Sequence, residues 1–168
     1  LNKHVVKLEN AYGITWEKMT LNALGTDYGR VFQFSTAAFD NRIQHCAING
    51  INTSSVSDAF ACVYSDGTNR GNVFFGNTIK NGSYGILHDI YSSYVEGFDI
   101  HHNRIENFST TGLELPFTSG LKIVGNTVIS SKNAAVGIIV SSAIDSMVVS
   151  DNTVELSSGQ DGIRFSDI

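Results

Sequence analysis

Two carboxylates and a histidine are the residues of this chain best suited to catalysis: Asp89, Glu114 and His88. A pair of carboxyl groups about 6.5–9.5 Å apart can hydrolyse a glycosidic bond with inversion, one as general acid and the other as general base. A histidine beside a carboxylate can take up or release a proton near neutral pH. Asp89 and Glu114 are 25 residues apart, so this chemistry depends on a fold that brings them together.

Such a fold is indicated by a repeat of the form apolar-x-x-Asn-x-apolar, which occurs at residues 74–79, 100–105, 123–128 and 149–154. Between its copies lies a second signature, a small residue followed by apolar-x-apolar. The first apolar residues of that signature are residues 6, 32, 62, 86, 113, 138 and 163. Intervals of 24 to 30 residues are typical of proteins that stack one supersecondary unit per repeat.

Each repeat contains short alternating segments separated by Gly, Asn and Ser, a pattern typical of strands rather than helices. We therefore predict an all-β parallel solenoid, a β-helix, with six coils, a closing strand and three strands per coil, as a single domain over residues 1–168. Equivalent strands of successive coils would then pair about 4.8 Å apart.

The repeated asparagines are predicted to form a ladder, because they fall at one phase of the solenoid: Asn77, Asn103, Asn126 and Asn152. Stacked amide side chains can hydrogen-bond to one another and to the backbone of the bend. We also expect each of them to adopt the left-handed backbone conformation between the second and third strands, which Asn tolerates best after Gly.

The first strand of each coil offers outward positions where a ligand could bind. The central outward positions are predicted to be Lys7, Gln33, Val63, Leu87, Glu114, Ile139 and Arg164, and the next are Glu9, Ser35, Ser65, Asp89, Pro116, Ser141 and Ser166. Asp89 and Glu114 are then diagonal neighbours on adjacent coils, about 7–8 Å apart, which suits an inverting pair. The alternative is a coincidental pair of surface acids, with His88, at an inward position, as a histidine of the core.

Substrate binding is predicted for residues near this pair. Tyr91 and Tyr94 belong to a long aromatic segment after a first strand, and Phe117 lies one coil further on. Their rings could pack against the apolar faces of sugars, or they could instead tuck under the loop and seal it. Arg164 is the isolated cation of the same strip, and we assign it to substrate binding as well.

The phrases GNTI, HNRI, GNTV and DNTV, each followed eight to eleven residues later by Gly and a branched apolar residue, resemble the right-handed parallel β-helix repeats of the pectate-lyase-like superfamily. The resemblance covers essentially the whole chain. It implies a right-handed solenoid whose first strands line a saccharide groove, and activities such as polysaccharide lyase, glycoside hydrolase or epimerase. A Ca²⁺ ion is implied by this resemblance alone, and no catalytic motif of the superfamily's enzymes can be carried over residue by residue.

Composition limits the partners. A net charge of −5 disfavours nucleic acid and anionic membrane surfaces, and no apolar run is long enough to span a membrane. Cys46 and Cys62 fall at different phases of the repeat, which favours two buried thiols over a disulfide. His45 lies two coils from the paired His101 and His102, too far for one metal ion, so we predict neither a metal site nor a cofactor.

Three functions remain open. The first is an extracellular or cell-surface scaffold or polysaccharide-binding surface, and the second is a lyase, glycoside hydrolase or epimerase acting on the first-strand sheet. The third is a self-assembling subunit, because an uncapped solenoid end exposes unpaired strand edges. The chain begins at Leu1 and ends just after a strand-like segment at residues 162–165. We therefore expect a segment of a longer secreted or surface protein, in which end-to-end stacking or continuation of the chain pairs those edges.

Overall fold

The computed structural model describes residues 4–90, 94–132, 136–157 and 161–168 of the chain. Over these residues the chain winds into an all-β parallel solenoid of about six coils, which confirms the predicted fold class. The coils contribute strands to three parallel sheets, and equivalent strands of successive coils are hydrogen-bonded neighbours. Within the described ranges, no helix is long and apolar enough to cross a membrane.

The strands of each sheet follow one another along the solenoid axis. The first sheet contains β1 (His4–Glu9), β4 (Arg30–Ser35), β7 (Val63–Ser65), β10 (Tyr84–His88), β14 (Thr111–Pro116), β18 (Val136–Ser141) and β21 (Ile163–Ser166). The second sheet contains β2 (Thr15–Glu17), β5 (Arg42–Gln44), β8 (Val73–Phe75), β12 (Asp99–His101), β16 (Lys122–Val124) and β19 (Val148–Ser150). The third sheet contains β3 (Thr20–Asn22), β6 (Ala47–Asn49), β9 (Thr78–Lys80), β13 (Arg104–Glu106), β17 (Thr127–Ser130) and β20 (Thr153–Leu156). A short corner ribbon between the first and second sheets pairs β11 (Val95–Glu96) with β15 (Thr118–Ser119), and a 3-10 helix spans Asp58–Phe60.

The core lies inside the three sheets, because alternation along each strand turns every second side chain inward. Phe34 and Phe74 pack edge to face with ring centroids 5.7 Å apart, and both are at most 1% exposed. The third sheet adds an aliphatic column of fully buried residues, namely Ile48, Ile79, Ile105 and Val128. Burying a side chain of this size stabilises the fold by about 1.5–3 kcal/mol.

The predicted asparagine ladder is present at the corner between the second and third sheets, which we call the ladder corner. Asn77 donates its backbone N–H and its Nδ2 to Asn103 Oδ1, at 2.9 and 3.0 Å. The same pair of bonds joins Asn103 to Asn126 and Asn126 to Asn152. Each Nδ2 also donates at 2.8 Å to a carbonyl of the preceding coil, the acceptors being Ile43, Phe74, Ile100 and Ile123.

The left-handed residue of the ladder corner is not the asparagine, so that part of the prediction is wrong. Positive φ angles of 54–65° occur at the residue directly before the rung position in each coil: Lys18, His45, Gly76, His102, Gly125 and Asp151. The chain turns at this residue, and the next side chain consequently points inward. An inward amide can stack and be fully bonded there, whereas an amide on the turning residue would face solvent.

A second, shorter ladder is not evident from the repeat. The Asn41 backbone N–H and Nδ2 donate to Asn72 Oδ1 at 3.0 and 3.1 Å, and both residues are 0% exposed. This ladder lies at the corner between the first and second sheets, which we call the glycine corner. Strand pairing places Phe98 and Leu121 at the same position in the next two coils, so the ladder gives way to apolar packing.

The register of the first sheet differs from the prediction at β7. Val63 pairs with Phe32 and with Ile86, so Val63 and Ser65 face inward, with 0% and 1% exposure. Tyr64 therefore takes the outward position predicted for Val63. The residues of 61–64 are all small or apolar, so alternation could not fix the phase there.

Residues 51–57 run along the solenoid axis, which explains the long interval between residues 32 and 62. We call this segment the strap. Side chains from three successive coils donate to its carbonyl groups: Ser83 Oγ to Ser57 O, Ser109 Oγ to Ser55 O and Lys132 Nζ to Thr53 O, at 2.5, 2.5 and 2.6 Å.

Both cysteines are free and buried, in agreement with the prediction. Burial raises the pKa of the Cys62 thiol to about 12, so this group stays protonated. Its Sγ donates to the carbonyls of Lys80 and Asn81 at 3.3 and 3.4 Å, so the buried thiol has hydrogen-bond partners at the corner between the third and first sheets.

Candidate functional site

Asp89 and Glu114 lie on the outer side of the first sheet in neighbouring coils. Glu114 is paired with Leu87 across β10 and β14, and Asp89 follows Leu87 by two residues. The Thr111 hydroxyl donates to Glu114 Oε2 at 3.0 Å, and the Tyr64 hydroxyl donates to Asp89 Oδ2 at 2.6 Å. The two carboxyl groups are therefore diagonal neighbours, each held by a hydroxyl.

The surroundings of Glu114 favour its neutral form. Burial is the main cause that raises its pKa, and the negative charge of Asp89 raises it further, against the hydrogen bond from Thr111 and the charge of Arg164. A carboxylic acid of raised pKa beside a second carboxylate is the electrostatic arrangement of a general acid and a general base. The catalytic role of the pair stays a prediction.

Three residues that the repeat does not indicate complete this face. The Arg30 guanidinium carbon lies 3.4 Å from the Tyr64 ring centroid, and Arg30 Nη2 donates to Asp58 Oδ2 at 2.6 Å. Burial and the hydrogen bond to Asp89 raise the pKa of Tyr64, so its hydroxyl remains a donor. Arg30, Asp58 and Tyr64 come from separate segments, and no local motif could have identified them together.

This face is partly filled by the protein itself. Ala61, Tyr64 and Leu87 form a small apolar cluster on the outer side of the first sheet, with Tyr84 packed against it. Tyr64 and Leu87 are only 7% and 3% exposed. The side chains of two coils therefore cover part of the outer face of the first sheet, where a saccharide groove is predicted.

His88 points into the core, on the opposite side of the strand from the carboxylates. It is 0% exposed, its Nδ1 lies 3.1 Å from Ser65 Oγ, and its ring meets Phe98 edge to face at 5.0 Å. Burial lowers the pKa of His88 to about 4, opposed by the charge of Asp89 and by Ser65. The imidazole is therefore neutral near pH 7, and its buried Nε2 has no hydrogen-bond partner.

The two predicted binding rings that the structure describes are brought together. Tyr94 and Phe117 lie on adjacent coils with ring centroids 5.6 Å apart and planes inclined at 55°. Tyr94 is 50% exposed, so it does not seal the loop. The third predicted ring, Tyr91, lies outside the described residues.

Arg164 lies two coils beyond the coil that contains Phe117. It lies on β21, opposite Ile139, two coils beyond Glu114. Its Nε donates to Asp161 Oδ2 at 2.6 Å, so its charge is largely compensated by a neighbouring acid.

A row of outward side chains follows the glycine corner along the axis. Backbone hydrogen bonds and two isolated bridges connect its members from coil to coil: Tyr12, Phe39, Arg70, Glu96, Ser119 and Ile144. The Tyr12 and Phe39 rings pack edge to face at 5.3 Å, and the Arg70 guanidinium carbon lies 4.5 Å from the Phe39 centroid. We call this set the corner row.

The residue after each member of the corner row has a positive φ of 53–63°. These residues are Gly13, Asp40, Gly71, Gly97, Gly120 and Asp145. Four of the six are glycine, which leaves the backbone bare. A groove of about 380 Å³ results, lined by Asp40, Arg70, Gly71, Glu96, Gly97 and Gly120. We call it the corner groove. Its sequence signal is a glycine or aspartate two residues before the second strand in five coils and three residues before it in the sixth.

Three histidines at the end of the second sheet contact one aromatic ring. His101 stacks on Phe75 at 4.6 Å, and His45 and His102 meet the same ring edge to face at 4.9 and 5.9 Å. Among the described residues, no group of three or more His, Cys, Asp or Glu side chains is arranged to hold a metal ion. The donor set needed for the Ca²⁺ that the resemblance implies is thus not found in that part of the chain.

No protein-family model matches the chain, and neither a curated protein nor a solved structure shows significant similarity to it. The parallel solenoid therefore rests on the structure itself. Membership of the pectate-lyase-like superfamily stays a hypothesis drawn from the repeats.

Proposed function

We propose that this protein is an extracellular or cell-surface β-solenoid that binds a polysaccharide through Tyr94 and Phe117. The observation that carries the proposal is the contact between these two rings, 5.6 Å apart, with Tyr94 half exposed on the surface. Exposed aromatic rings beside polar groups suit the apolar faces and hydroxyl groups of sugars.

The corner ribbon fixes the backbone next to the two rings. Val95, which follows Tyr94, is 3% exposed, and Thr118, which follows Phe117, is 0% exposed. The Val95 N–H donates to the Phe117 carbonyl at 3.0 Å, which ties the two coils at the rings themselves. Because the backbone is already ordered, a ligand binding here loses little affinity to ordering of the protein.

The test is a glycan array of neutral, amino and uronate polysaccharides, followed by calorimetry on the glycans that bind. Tyr94→Ala should weaken binding about tenfold, the effect of losing one stacked ring. Phe75→Ala, which removes a ring from the second sheet, is the matched control and should bind like the wild type. Absence of glycan binding, or equal binding by Tyr94→Ala and wild type, would refute the proposal.

A second candidate function is glycoside hydrolysis, and the raised pKa of Glu114 beside Asp89 favours it. Glu114 would protonate the leaving group, and Asp89 would activate a water molecule. Glu114→Gln and Asp89→Asn should each lower the release of reducing ends about 100-fold or more. Glu155→Gln, on the third sheet, is the control, and equal turnover by all three variants would remove Asp89 and Glu114 from consideration.

A further inference from the structure

We propose that the corner groove is an extended binding track for a neutral polysaccharide, which lies parallel to the solenoid axis. The inference rests on the proposed function and gives it a path, a direction and a substrate class. The track runs over the glycine corner and not over the partly covered outer face of the first sheet.

The corner row supplies the wall of the track. Tyr12 is 61% exposed and packs on Phe39, and the Arg70 guanidinium carbon lies over the same Phe39 ring, 4.5 Å from its centroid. A sugar can stack on an exposed ring and hydrogen-bond to a guanidinium held in place by a second ring. The wall then continues with Glu96, an exposed acid, and Ser119.

The floor of the track is bare backbone at Gly13, Gly97 and Gly120, whereas the Asp40 carboxylate lies over Gly71. A Cβ added at Gly13 or Gly120 would meet no atom within 4 Å, and one added at Gly97 would only touch the Gly120 carbonyl at 3.8 Å. Side chains at these positions would therefore project into open space. Their absence is what leaves a ligand room to approach the chain.

The track is continuous with the rings of the proposed function. Tyr94 and Glu96 flank the buried Val95, so alternation turns both outward on the same side of the corner ribbon. The Tyr94–Phe117 pair consequently borders the Glu96–Ser119 part of the corner row. From Tyr12 to Ser119 the row crosses four coil spacings, about 19 Å at about 4.8 Å each.

The chemistry of the groove selects a neutral sugar chain. Two carboxylates, Asp40 and Glu96, and one guanidinium, Arg70, line it, so a uronate polymer would meet net repulsion. An extended peptide is the other polymer that fits a long groove, but it binds by adding to an open strand edge. The backbone here is already paired between coils, as in the bonds from Asp40 N to the Arg70 carbonyl and from Gly97 N to the Ser119 carbonyl.

The experiment is calorimetry with neutral xylan and β-glucan oligosaccharides, from disaccharide to hexasaccharide, with polygalacturonate oligomers of the same lengths. Wild-type affinity should rise at least about tenfold from disaccharide to hexasaccharide as further subsites are occupied. Arg70→Ala and Gly97→Asn should abolish this gain and leave disaccharide binding at Tyr94 and Phe117 unchanged. Asn is compatible with the backbone at residue 97, because Asp40 and Asp145 adopt the same φ in this row.

The matched control is His102→Asn, which places Asn at a left-handed position of the ladder corner and should bind every oligosaccharide like the wild type. If Tyr94→Ala loses binding while Arg70→Ala and Gly97→Asn retain the hexasaccharide gain, the track is wrong and the proposed function stands. If no oligosaccharide binds to the wild type, both are wrong. Tighter binding of polygalacturonate, or displacement of a bound hexasaccharide by an unrelated extended peptide, would overturn the assignment to a neutral glycan.

Discussion

The ladder corner and the glycine corner solve the same bend in two ways. Both place a residue of positive φ in each coil, and in the second to fifth coils the residue after it points into the core at both corners. At the ladder corner that inward residue is Asn in four successive coils, and the amides of Asn77, Asn103 and Asn126 are each bonded to the coils on both sides. At the glycine corner the inward residue changes from Asn41 and Asn72 to Phe98 and Leu121.

The two corners differ in which position restricts the type of residue. The ladder corner fixes the inward residue and leaves the turning residue free to be Lys, His, Gly or Asp. The glycine corner relaxes the inward residue and restricts the turning residue to Gly or Asp. The first arrangement stabilises stacking, and the second keeps a surface clear of side chains.

The largest effect should come from breaking a rung. Asn103→Leu leaves the Asn77 backbone N–H without its Oδ1 acceptor and the Phe74 carbonyl without its Nδ2 donor. Two buried groups without partners should lower the free energy of unfolding by about 4 kcal/mol, measured by urea denaturation. Leu121→Met at the glycine corner should cost less than about 1.5 kcal/mol, because only volume matters there. Equal losses in the two variants would contradict the distinction between the corners.

A somewhat smaller effect is expected at acid pH, from the strand that leads into the glycine corner. The unfolded chain protonates His88 near pH 6.5, and the folded protein does so only near pH 4. The unfolded state therefore binds more protons between these values, and stability should fall by about 3 kcal/mol as the pH is lowered through that window. His88→Leu, which copies Leu115 of the next coil, should flatten this part of the profile of unfolding free energy against pH. An unchanged slope in the variant would exclude His88 as its source.

The smallest effect should separate backbone strain from contacts at the two turning positions. Gly120→Ala places a Cβ in open space at φ +61°, so any loss, expected to be about 1 kcal/mol, reports strain alone. Lys18→Gly at φ +55° relieves similar strain at the ladder corner and should raise the melting temperature slightly. Opposite signs would support the comparison, and a stabilised Gly120→Ala would contradict it.

Much of the fold follows from the sequence, because the rungs from Asn77 to Asn152 repeat a polar residue in a fixed apolar frame. The failure at Val63 has a plain cause, since the residues of 61–64 are all compatible with the interior and alternation cannot choose between two phases. The left-handed residue is assigned wrongly because Asn tolerates that conformation, although stacking of its amide requires it to face inward.

The candidate site is predictable only in part. The repeat brings Tyr94 next to Phe117, because the two occupy equivalent positions in adjacent coils, and it brings Asp89 diagonally next to Glu114, which is paired with Leu87. It cannot indicate that Arg30 and Tyr64 cover the same face, since that contact depends on the corrected register and on side-chain conformation. The corner row could not be predicted from the repeat for another reason: its members differ in residue type from coil to coil and share only a position.

The strap has a consequence for how the solenoid would come apart. In an ideal repeat protein each coil contacts only its neighbours, so opening can begin at either end and proceed one coil at a time. Here a single segment from the end of one coil is hydrogen-bonded to the three coils that follow. Those coils cannot separate one by one without releasing the strap, so in mechanical pulling they should rupture as one block rather than as a series of equal steps.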